Sequence, residues 1–386
     1  MTKKILLINN CYGWSEVLSG GEKRIIEIFR NINDKKIYFE FMTTPGGFKA
    51  LKRQNIKSEF IINFTTPFKK NFSNINVIFS YLISTLSSLL NLNLVKKFDA
   101  YYSVSDYFCD VIPPVFFKII FKKKYIAIIH HLNEKPFRRQ GNKILNLLSF
   151  FFQRFSFFLI DNFADLIFVY NNSHGKKIKN LFKNKKKIKF VNCGIDYKLI
   201  SKIKSSKKKY DLSFVGGLRP SKGIYEFLQI VKIFKEKYNK IKCIIIGSGS
   251  KEIEKEFKSQ IVKLKLSENI VWKRYLKSNK DVYKYLKLSK VFVSTSHEEG
   301  WGISICEALA CGVPVVANNL KTFNYLGNKI FKEKNTNLEK FTKKIIFLIN
   351  QRISFKDFKF IKKFSWENIS KNEIKIINNL LENKNV

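Results

Sequence analysis

Two glutamates with seven residues between them, Glu299 and Glu307, lie in the segment of this chain with the clearest chemical signature. The segment, residues 297–317, has the sequence HEEGWGISICEALACGVPVVA. An apolar run at 291–293 precedes it and predicts a buried parallel strand. Glu299 should then lie in the turn after that strand and Glu307 in the following helix. The carboxyl ends of parallel strands are where open α/β sheets bind ligands.

Glycines flank the first acidic turn in the order Gly300, Trp301, Gly302. Glycine lets backbone N–H groups approach a ligand closely, and the start of a helix favours an anion. Carboxylates accept hydrogen bonds from hydroxyls, whereas backbone amides suit phosphate. A nucleotide sugar carries both kinds of group, so the segment predicts a ligand of this chemical class.

The whole frame resembles the retaining glycosyltransferases of family four (glycosyl transferases group 1), with Trp301 in place of their usual Phe. The resemblance implies an α/β fold of the GT-B type, in which two Rossmann-like doubly wound domains face a central cleft. It implies that Glu299 is catalytic and meets sugar hydroxyls, and that Glu307 accepts hydrogen bonds from both ribose hydroxyls. The backbone amides of Gly300 to Ile303 would bind the sugar and phosphate of the donor.

A second motif, FVGGLRPSKG at residues 214–223, joins a strand and a glycine turn to two cations. Fixed cations stabilise the negative charge that a sugar-diphosphate leaving group gains as its glycosidic bond breaks. In the resemblance, Lys222 matches the family's lysine, but the family's arginine falls on Gly217 and Arg219 comes two residues later. We expect Lys222 and Arg219 to bind the donor; the alternative is two surface cations near a helix start.

Two further glycine turns are candidate donor contacts. The run at 244–249, IIIGSG, resembles the family's glycine turn beside the nucleotide and nominates Gly247. Near the N-terminus, Gly20 and Gly21 in SGGEKR resemble the family's paired glycines, which face the diphosphate and acceptor. The alternative for each is an ordinary turn at a helix entry.

His130 ends a predicted buried strand at 125–129. The resemblance implies that its imidazole lies beside the transferred sugar. There it could hydrogen-bond a sugar hydroxyl or help to accept the proton of the acceptor hydroxyl. The alternative is a satisfied polar side chain at a strand end. The sequence has no Asp-x-Asp and no His/Cys cluster with metal-ligand spacing, so we expect no metal and no cofactor beyond the nucleotide sugar.

Strand and helix patterns alternate along the chain and predict two α/β domains. We place an acceptor domain at 1–195, a donor domain at 196–364 and a terminal helix at 365–386, which in the resembled family crosses back to the first domain. A lysine-rich stretch at 197–209 lacks periodicity and predicts a polar linker between the domains.

The chain of 386 residues carries 72 Lys and Arg against 30 Asp and Glu, a formal charge of +42. This excess has three readings: a composition bias of solvated faces, attraction to an anionic membrane, or nucleic-acid binding. Because no nucleic-acid-binding signature occurs, we expect no nucleic-acid partner. Six cysteines without a Cys-x-x-Cys pair favour reduced thiols and a cytoplasmic location.

A phenylalanine-rich helix pattern covers residues 143–160. We favour core packing for it; the alternative is docking on a membrane to reach a lipid-linked acceptor. The N-terminus is too short in apolar length for a signal peptide, and no uninterrupted apolar run is long enough for a span, so any membrane contact should be peripheral.

The function predicted from these patterns is retaining transfer of a sugar from a UDP- or GDP-linked donor to an acceptor hydroxyl. We expect the acceptor to be a glycan or a lipid-linked molecule, in cell-surface glycan or glycolipid synthesis. The alternative is a catalytically silent protein that binds nucleotide sugars.

Overall fold

The structure, a computed structural model, describes residues 2–11, 20–32, 36–57, 59, 61–63, 74–133, 135–139, 142–204, 206–238, 240–276, 278–351 and 355–382. The chain divides into two compact units. Unit 1 comprises Met1–Asn192 and Glu367–Val386, and unit 2 comprises Cys193–Trp366.

The described part of unit 1 contains a sheet of seven parallel strands. They are β1 (Lys3–Asn9), β2 (Ile37–Thr43), β3 (Ile61–Asn63), β4 (Ala100–Ser103), β5 (Lys124–Ile129), β6 (Leu166–Tyr170) and β7 (Ile188–Val191). Their order in the sheet is β3-β2-β1-β4-β5-β6-β7, so the direction of winding reverses between β1 and β4. The central strands are apolar and buried on both faces, as in parallel sheets covered by helices on each side.

The helices of unit 1 connect these strands. They are α1 (Gly20–Arg30), α2 (Pro45–Arg53), α3 (Asn74–Leu89), α4 (Leu92–Val95), α5 (Phe108–Phe121), α6 (Lys143–Phe163) and α7 (Ser173–Leu181). Helix α5 packs against both α3 and α6. Asn142 caps α6, because its side chain accepts hydrogen bonds from the backbone N–H groups of Ile144 and Leu145.

Unit 2 repeats this architecture with six parallel strands among its described residues. They are β8 (Tyr210–Val215), β9 (Cys243–Ile246), β10 (Ile270–Lys273), β11 (Ser289–Ser294), β12 (Val315–Asn318) and β13 (Phe331–Glu333). The sheet order is β10-β9-β8-β11-β12-β13, and the winding reverses between β8 and β11. The helices are α8 (Tyr197–Lys202), α9 (Ile224–Lys237), α10 (Lys251–Lys263), α11 (Asn279–Lys287), α12 (Ile303–Ala310) and α13 (Leu338–Ile349), and α14 (Trp366–Leu381) follows.

The stretch at 197–209, predicted to be a polar linker, contains helix α8 instead. The Asp196 side chain accepts a hydrogen bond from the Leu199 N–H at 3.0 Å and caps the helix. Ile200 is fully buried. One capping carboxylate and one buried isoleucine therefore stabilise a short helix. The many lysines of the segment leave too few apolar residues for a helical periodicity to be recognised in the sequence.

Helix α6 divides its aromatic side chains between two faces. Phe157 is buried in the core of unit 1, and Phe152 packs on Phe108 with ring centroids 4.6 Å apart. Phe151 and Phe158 are exposed, so core packing explains only part of the stripe. Among the described residues, α6 is a helix whose length and composition would suffice to cross a membrane. In the structure one face of it packs on unit 1.

Candidate functional site

The reversal point of the unit 2 sheet gathers most of the residues singled out in the sequence. The loop after β8 carries Lys222, and the loop after β11 carries Glu299. Because β8 and β11 are neighbours and parallel, both loops leave the same edge of the sheet. This crevice at a topological switch point is the usual ligand site of a doubly wound fold.

Lys222 and Glu299 form an ion pair in this crevice. Lys222 Nζ donates to Glu299 Oε1 at 2.5 Å, and both side chains are largely buried. Ser296 Oγ donates to the same oxygen at 2.9 Å. Asn318, at the end of β12, holds Ser296 in turn through a hydrogen bond from its Nδ2 to the Ser296 carbonyl at 2.9 Å. The carboxylate is therefore fixed from the ends of three neighbouring strands.

Helix α12 begins directly after this acidic turn. Gly302 precedes it with φ of 93°, a left-handed conformation that side chains rarely adopt. A Cβ at Gly302 would also meet the Phe323 ring at 2.8 Å, so both backbone and space require glycine here. The first N–H groups of α12, starting at Ile303, have no acceptor within the helix and present positive partial charge to an anion.

Glu307 lies on the second turn of α12 and is 4% exposed. Tyr283, on α11, donates its hydroxyl to Glu307 Oε1 at 3.0 Å. Burial, and then the neighbouring Glu307 carboxylate, raises the pKa of Tyr283 well above its usual value, so its proton stays on the hydroxyl. Sequence reasoning missed Tyr283, because nothing in its local pattern indicates a partner 24 residues away.

Trp301 lies in the acidic turn, but its indole packs away from it and is 3% exposed. It stacks on Tyr325 with ring centroids 4.0 Å apart and meets Phe364 edge-on at 5.5 Å. The Tyr325 hydroxyl donates to the Trp301 carbonyl at 2.9 Å. The Trp301 side chain therefore packs against Tyr325 and Phe364 and stabilises the turn. Only the backbone of Trp301 is left to contact a ligand.

Arg219, which comes two residues after the position of the arginine in the resembled family, has its side chain close to that position, Gly217. Arg219 is exposed, and a Cβ built on Gly217 would lie 3.4 Å from its Nε. The Gly247 turn lies beside this loop, since the Leu218 N–H donates to the Ser248 carbonyl at 2.9 Å. Trp272 Nε1 donates to the Gly247 carbonyl at 3.0 Å and holds that turn in place.

His297 connects the acidic turn to helix α9. Its backbone N–H donates to the Ser221 carbonyl at 2.9 Å, and its Nε2 lies 2.7 Å from Glu226 Oε1. The hydrogen bond with Glu226 raises the pKa of His297. His297 therefore joins the Glu299 loop to the Lys222 loop and to helix α9.

In unit 1, His130 follows β5 with both ring nitrogens engaged. Nε2 lies 2.8 Å from the Val104 carbonyl, which can only accept, so Nε2 carries the proton. Nδ1, 2.9 Å from the Tyr170 hydroxyl, then accepts. Burial lowers the pKa of His130 to about 4, so the ring is neutral near pH 7.

The paired glycines lie at the start of α1, where Gly21 approaches His130. A Cβ on Gly21 would come within 2.9 Å of His130 Nε2. Gly20 opens the helix, and residues 12–19 before it lie outside the described part. The structure therefore brings Gly21 together with His130 in unit 1, which also contains Gly20, whereas the remaining nominated residues belong to unit 2. Within the described residues, no group of three or more His, Cys, Asp or Glu could hold a metal ion.

Comparison with known proteins shows what these two units are similar to. Residues 196–363 match the family model described as glycosyl transferases group 1. These residues are similar to that family, and the two doubly wound units of the chain have the GT-B fold. The crystal structure of Anabaena HepE in complex with UDP and glucose has a TM-score of 0.74 at 17% identity, covering 97% of this chain and 99% of that one.

Curated relatives match mainly over part of the chain. An uncharacterized glycosyltransferase of Methanocaldococcus jannaschii is 30% identical over 171 residues, 42% of this chain and 41% of its own length. The poly(glycerol-phosphate) alpha-glucosyltransferase of Bacillus subtilis is 29% identical over 187 residues, 45% of this chain and 27% of its own. The chain thus spans well under two thirds of the length of these relatives.

Proposed function

We propose that this protein is a retaining, metal-independent glycosyltransferase that moves a sugar from a UDP- or GDP-linked donor to an acceptor hydroxyl. The observation that carries the proposal is the 2.5 Å contact of Lys222 and Glu299 at the switch point of unit 2. A cation, an acid and a helix N-terminus there suit the phosphate and hydroxyl groups of a nucleotide sugar.

The donor would be held by groups that match its parts in chemical type. Glu307, oriented by Tyr283, accepts hydrogen bonds from the ribose hydroxyls. Lys222 and the first N–H groups of α12 bind the diphosphate. The exposed Arg219 guanidinium lies beside the glycine turn and is available to the same group. Once Lys222 turns to phosphate, the Glu299 carboxylate is released to accept from hydroxyls of the transferred sugar.

In the proposed reaction the bond from the anomeric carbon to the phosphate oxygen breaks, and a bond to the acceptor oxygen forms on the same face. The acceptor proton passes to the departing phosphate, so atoms and charge balance without a metal ion. Lys222 and the amides at the start of α12 interact more strongly with the departing diphosphate than with the bound donor. Such differential binding lowers the barrier.

His130 is proposed to lie beside the transferred sugar as a neutral group. Its lowered pKa keeps the ring neutral, and both ring nitrogens are hydrogen-bonded, to Val104 and Tyr170. His130 would therefore position the sugar rather than hold an extra proton. In a donor complex its Nε2–H would donate to a sugar hydroxyl instead of to the Val104 carbonyl.

We also propose a cytoplasmic location, peripheral contact with an anionic membrane, and a role in cell-surface glycan or glycolipid synthesis, without a nucleic-acid partner. Exposed apolar side chains on α5 and α6, in a chain of net charge +42, support membrane contact. Six free cysteines fit a reducing compartment. The relative that acts on poly(glycerol-phosphate) supports the surface-glycan role by its printed name.

The test is release of nucleoside diphosphate from a panel of UDP- and GDP-sugars, read by chromatography. We expect one donor to be turned over and Glu307→Gln to lose that turnover. Glu339→Gln, an exposed glutamate of α13, is the matched control and should keep it. No release from any donor, or equal release by Glu307→Gln, contradicts the proposal.

The silent nucleotide-sugar binder is the second candidate, favoured by glycine at position 217 and by the ion pair that engages Lys222. Calorimetry on the same donors separates the two. Tight binding of a nucleotide sugar without turnover, in the presence of membrane extracts as an acceptor source, identifies the silent binder.

A further inference from the structure

Tyr170 is the last residue of strand β6 and lies beside His130, which follows the neighbouring strand β5. Its hydroxyl is 2.9 Å from His130 Nδ1, and the centroids of the two rings are 5.7 Å apart. Tyr170 is 5% exposed, so the protein surrounds it on nearly all sides. The tyrosine is therefore well placed to orient the imidazole.

In the free protein, two groups fix the position of the proton on the His130 ring. The Val104 carbonyl, which can only accept, lies 2.8 Å from Nε2, so that nitrogen carries the proton. The Tyr170 hydroxyl then donates to Nδ1. Both contacts select the same neutral ring, with its proton on Nε2.

A bound sugar would remove one of these two groups. In the proposed donor complex, the Nε2–H of His130 leaves the Val104 carbonyl for a sugar hydroxyl. A hydroxyl both donates and accepts, so the sugar by itself does not determine which ring nitrogen carries the proton. The hydroxyl of Tyr170 has the same freedom unless its surroundings favour donation over acceptance.

Arg24 on helix α1 supplies this preference. Its guanidinium carbon lies 6.0 Å from the centroid of the Tyr170 ring. A cation beside an aromatic ring polarises it, so the phenol becomes a stronger hydrogen-bond donor and a weaker acceptor. Because arginine stays protonated in proteins, this charge is permanent.

Helix α14 holds the charge of Arg24 in place. Arg24 and Glu373 are each 1% exposed and form an ion pair, and the Tyr102 hydroxyl donates to Glu373 Oε1 at 2.9 Å. Burial chiefly, and the Arg24 charge to a smaller extent, lower the pKa of His130 against the opposing effect of Asp106. The charge of Arg24 therefore reaches this ring although Glu373 pairs with it.

Helix α1 also leaves the Nε2 side of the His130 ring free of a side chain. Gly21 lies three residues before Arg24 and so on the same face of the helix. A Cβ at Gly21 would come within 2.9 Å of His130 Nε2 and would crowd the nitrogen that is proposed to meet the sugar. One helix thus presents a charge to Tyr170 and a glycine to Nε2.

We propose that Tyr170 is a positioning residue of the sugar-transfer site. Its hydroxyl, polarised by Arg24, donates to His130 Nδ1 and so keeps the Nε2 proton available for a hydroxyl of the transferred sugar. The inference rests on the proposed function and adds to it Tyr170 and the buried Arg24–Glu373 pair. Phenylalanine would fill the same space at the end of β6 but would leave the tautomer of His130 unselected once Val104 is released.

The first test is nitrogen NMR of protein labelled with isotopic histidine, with the ring of His130 assigned by His130→Gln. We expect the wild type to carry the proton on Nε2, both free and with bound nucleotide sugar. In Tyr170→Phe, the Nδ1 resonance of the free protein should move to that of a nitrogen without a hydrogen bond. Tyr101→Phe removes another buried hydroxyl, which donates to the Val95 carbonyl, and should leave the His130 resonances unchanged.

The second test separates positioning of the sugar from a general structural role. Tyr170→Phe should lower kcat for nucleoside diphosphate release about tenfold, the upper range for one hydrogen bond. Binding of UDP or GDP, which lack the transferred sugar, should stay unchanged in calorimetry. Tyr101→Phe should keep both the rate and the binding.

A double variant, Arg24→Gln with Glu373→Gln, removes both charges without leaving one buried and unpaired. Because the Tyr170 hydroxyl becomes a weaker donor, the Nδ1 resonance should move in the same direction as in Tyr170→Phe, but less. This variant and the wild-type resonances keep the inference testable if Tyr170→Phe fails to fold by circular dichroism.

A wild type with the proton on Nδ1, or a folded Tyr170→Phe with unchanged His130 resonances and full rate, overturns the inference. Equal losses of rate and of UDP or GDP binding in Tyr170→Phe also overturn it, because they show a structural role. If the wild type binds and turns over no nucleotide sugar, the proposed function fails, while the resonances of the free protein still decide whether Tyr170 sets the state of His130.

Discussion

Lys222 Nζ and Glu299 Oε1 lie 2.5 Å apart although 77 residues separate them in the chain. Lys222 lies in the loop after β8 and Glu299 in the loop after β11, and these are the two strands at which the sheet reverses direction. The ion pair keeps a cation in a largely buried crevice when no ligand neutralises it. A diphosphate entering the crevice offers Lys222 a stronger anionic partner and frees the carboxylate for sugar hydroxyls.

Removing this cation should reduce donor turnover. Lys222→Ala is expected to lower kcat for nucleoside diphosphate release by about 10²–10³-fold, the range for loss of one donor to developing charge. Lys222→Arg should retain part of the activity, because it keeps the charge. Lys232→Ala, an exposed lysine of α9, serves as the control. Equal rates for Lys222→Ala and Lys232→Ala would assign Lys222 a role outside the reaction.

Tyr283 should act through Glu307. Tyr283→Phe removes one buried hydrogen bond to the carboxylate, worth about 1 kcal/mol, so we expect KM for the donor to rise about fivefold with kcat little changed. Tyr285→Phe, on the same helix, is the matched control. Steady-state kinetics on the preferred donor provide the measurement, and a fall in kcat at constant KM contradicts a positioning role.

The buried pair of Arg24 and Glu373 should hold α14 on unit 1. Both side chains are 1% exposed, and the Tyr102 hydroxyl also donates to Glu373 at 2.9 Å. Glu373→Gln leaves Arg24 buried without its counter-charge, at a cost of about 3–5 kcal/mol. Hydrogen exchange across α14 should accelerate by at least 10²-fold in this variant. Glu367→Gln, in the first turn of the same helix, should exchange like the wild type.

Two histidines should titrate on opposite sides of their usual pKa of 6.5. Burial lowers the pKa of His130 to about 4, so its stabilising effect is full above about pH 6.5 and is lost as pH falls towards 4. The Glu226 hydrogen bond raises the pKa of His297, so that pair stabilises fully below 6.5 and weakens as pH rises through the raised value. Histidine NMR titration, assigned with His130→Gln and His297→Gln, measures both. A shared midpoint near 6.5 contradicts the prediction.

Much of the fold is predictable from sequence because buried parallel strands are short apolar runs. Strands β5 and β11 and helix α6 lie within a few residues of the ranges predicted for them, 125–129, 291–293 and 143–160. The placement of Glu299 and Glu307 follows from the strand, turn and helix pattern around them. Strand β13, of three residues, carries too little pattern to be found.

The partners of the candidate residues are harder to predict, because they come from distant parts of the chain. Nothing near Glu307 indicates Tyr283, and nothing near His130 indicates Tyr170, which lies 40 residues later. Trp301 shows a further limit of prediction from sequence. The motif predicts a donor contact for its backbone amide, but it does not predict that the side chain packs in a three-ring cluster with Tyr325 and Phe364.

A crystal structure of the protein with bound UDP or GDP tests the central claim most directly. We expect the diphosphate within hydrogen-bond distance of Lys222 Nζ and of the first N–H groups of α12, with the ribose hydroxyls on Glu307. A nucleotide bound elsewhere, or one in this crevice that leaves the Lys222–Glu299 pair intact and does not touch Glu307, would contradict it.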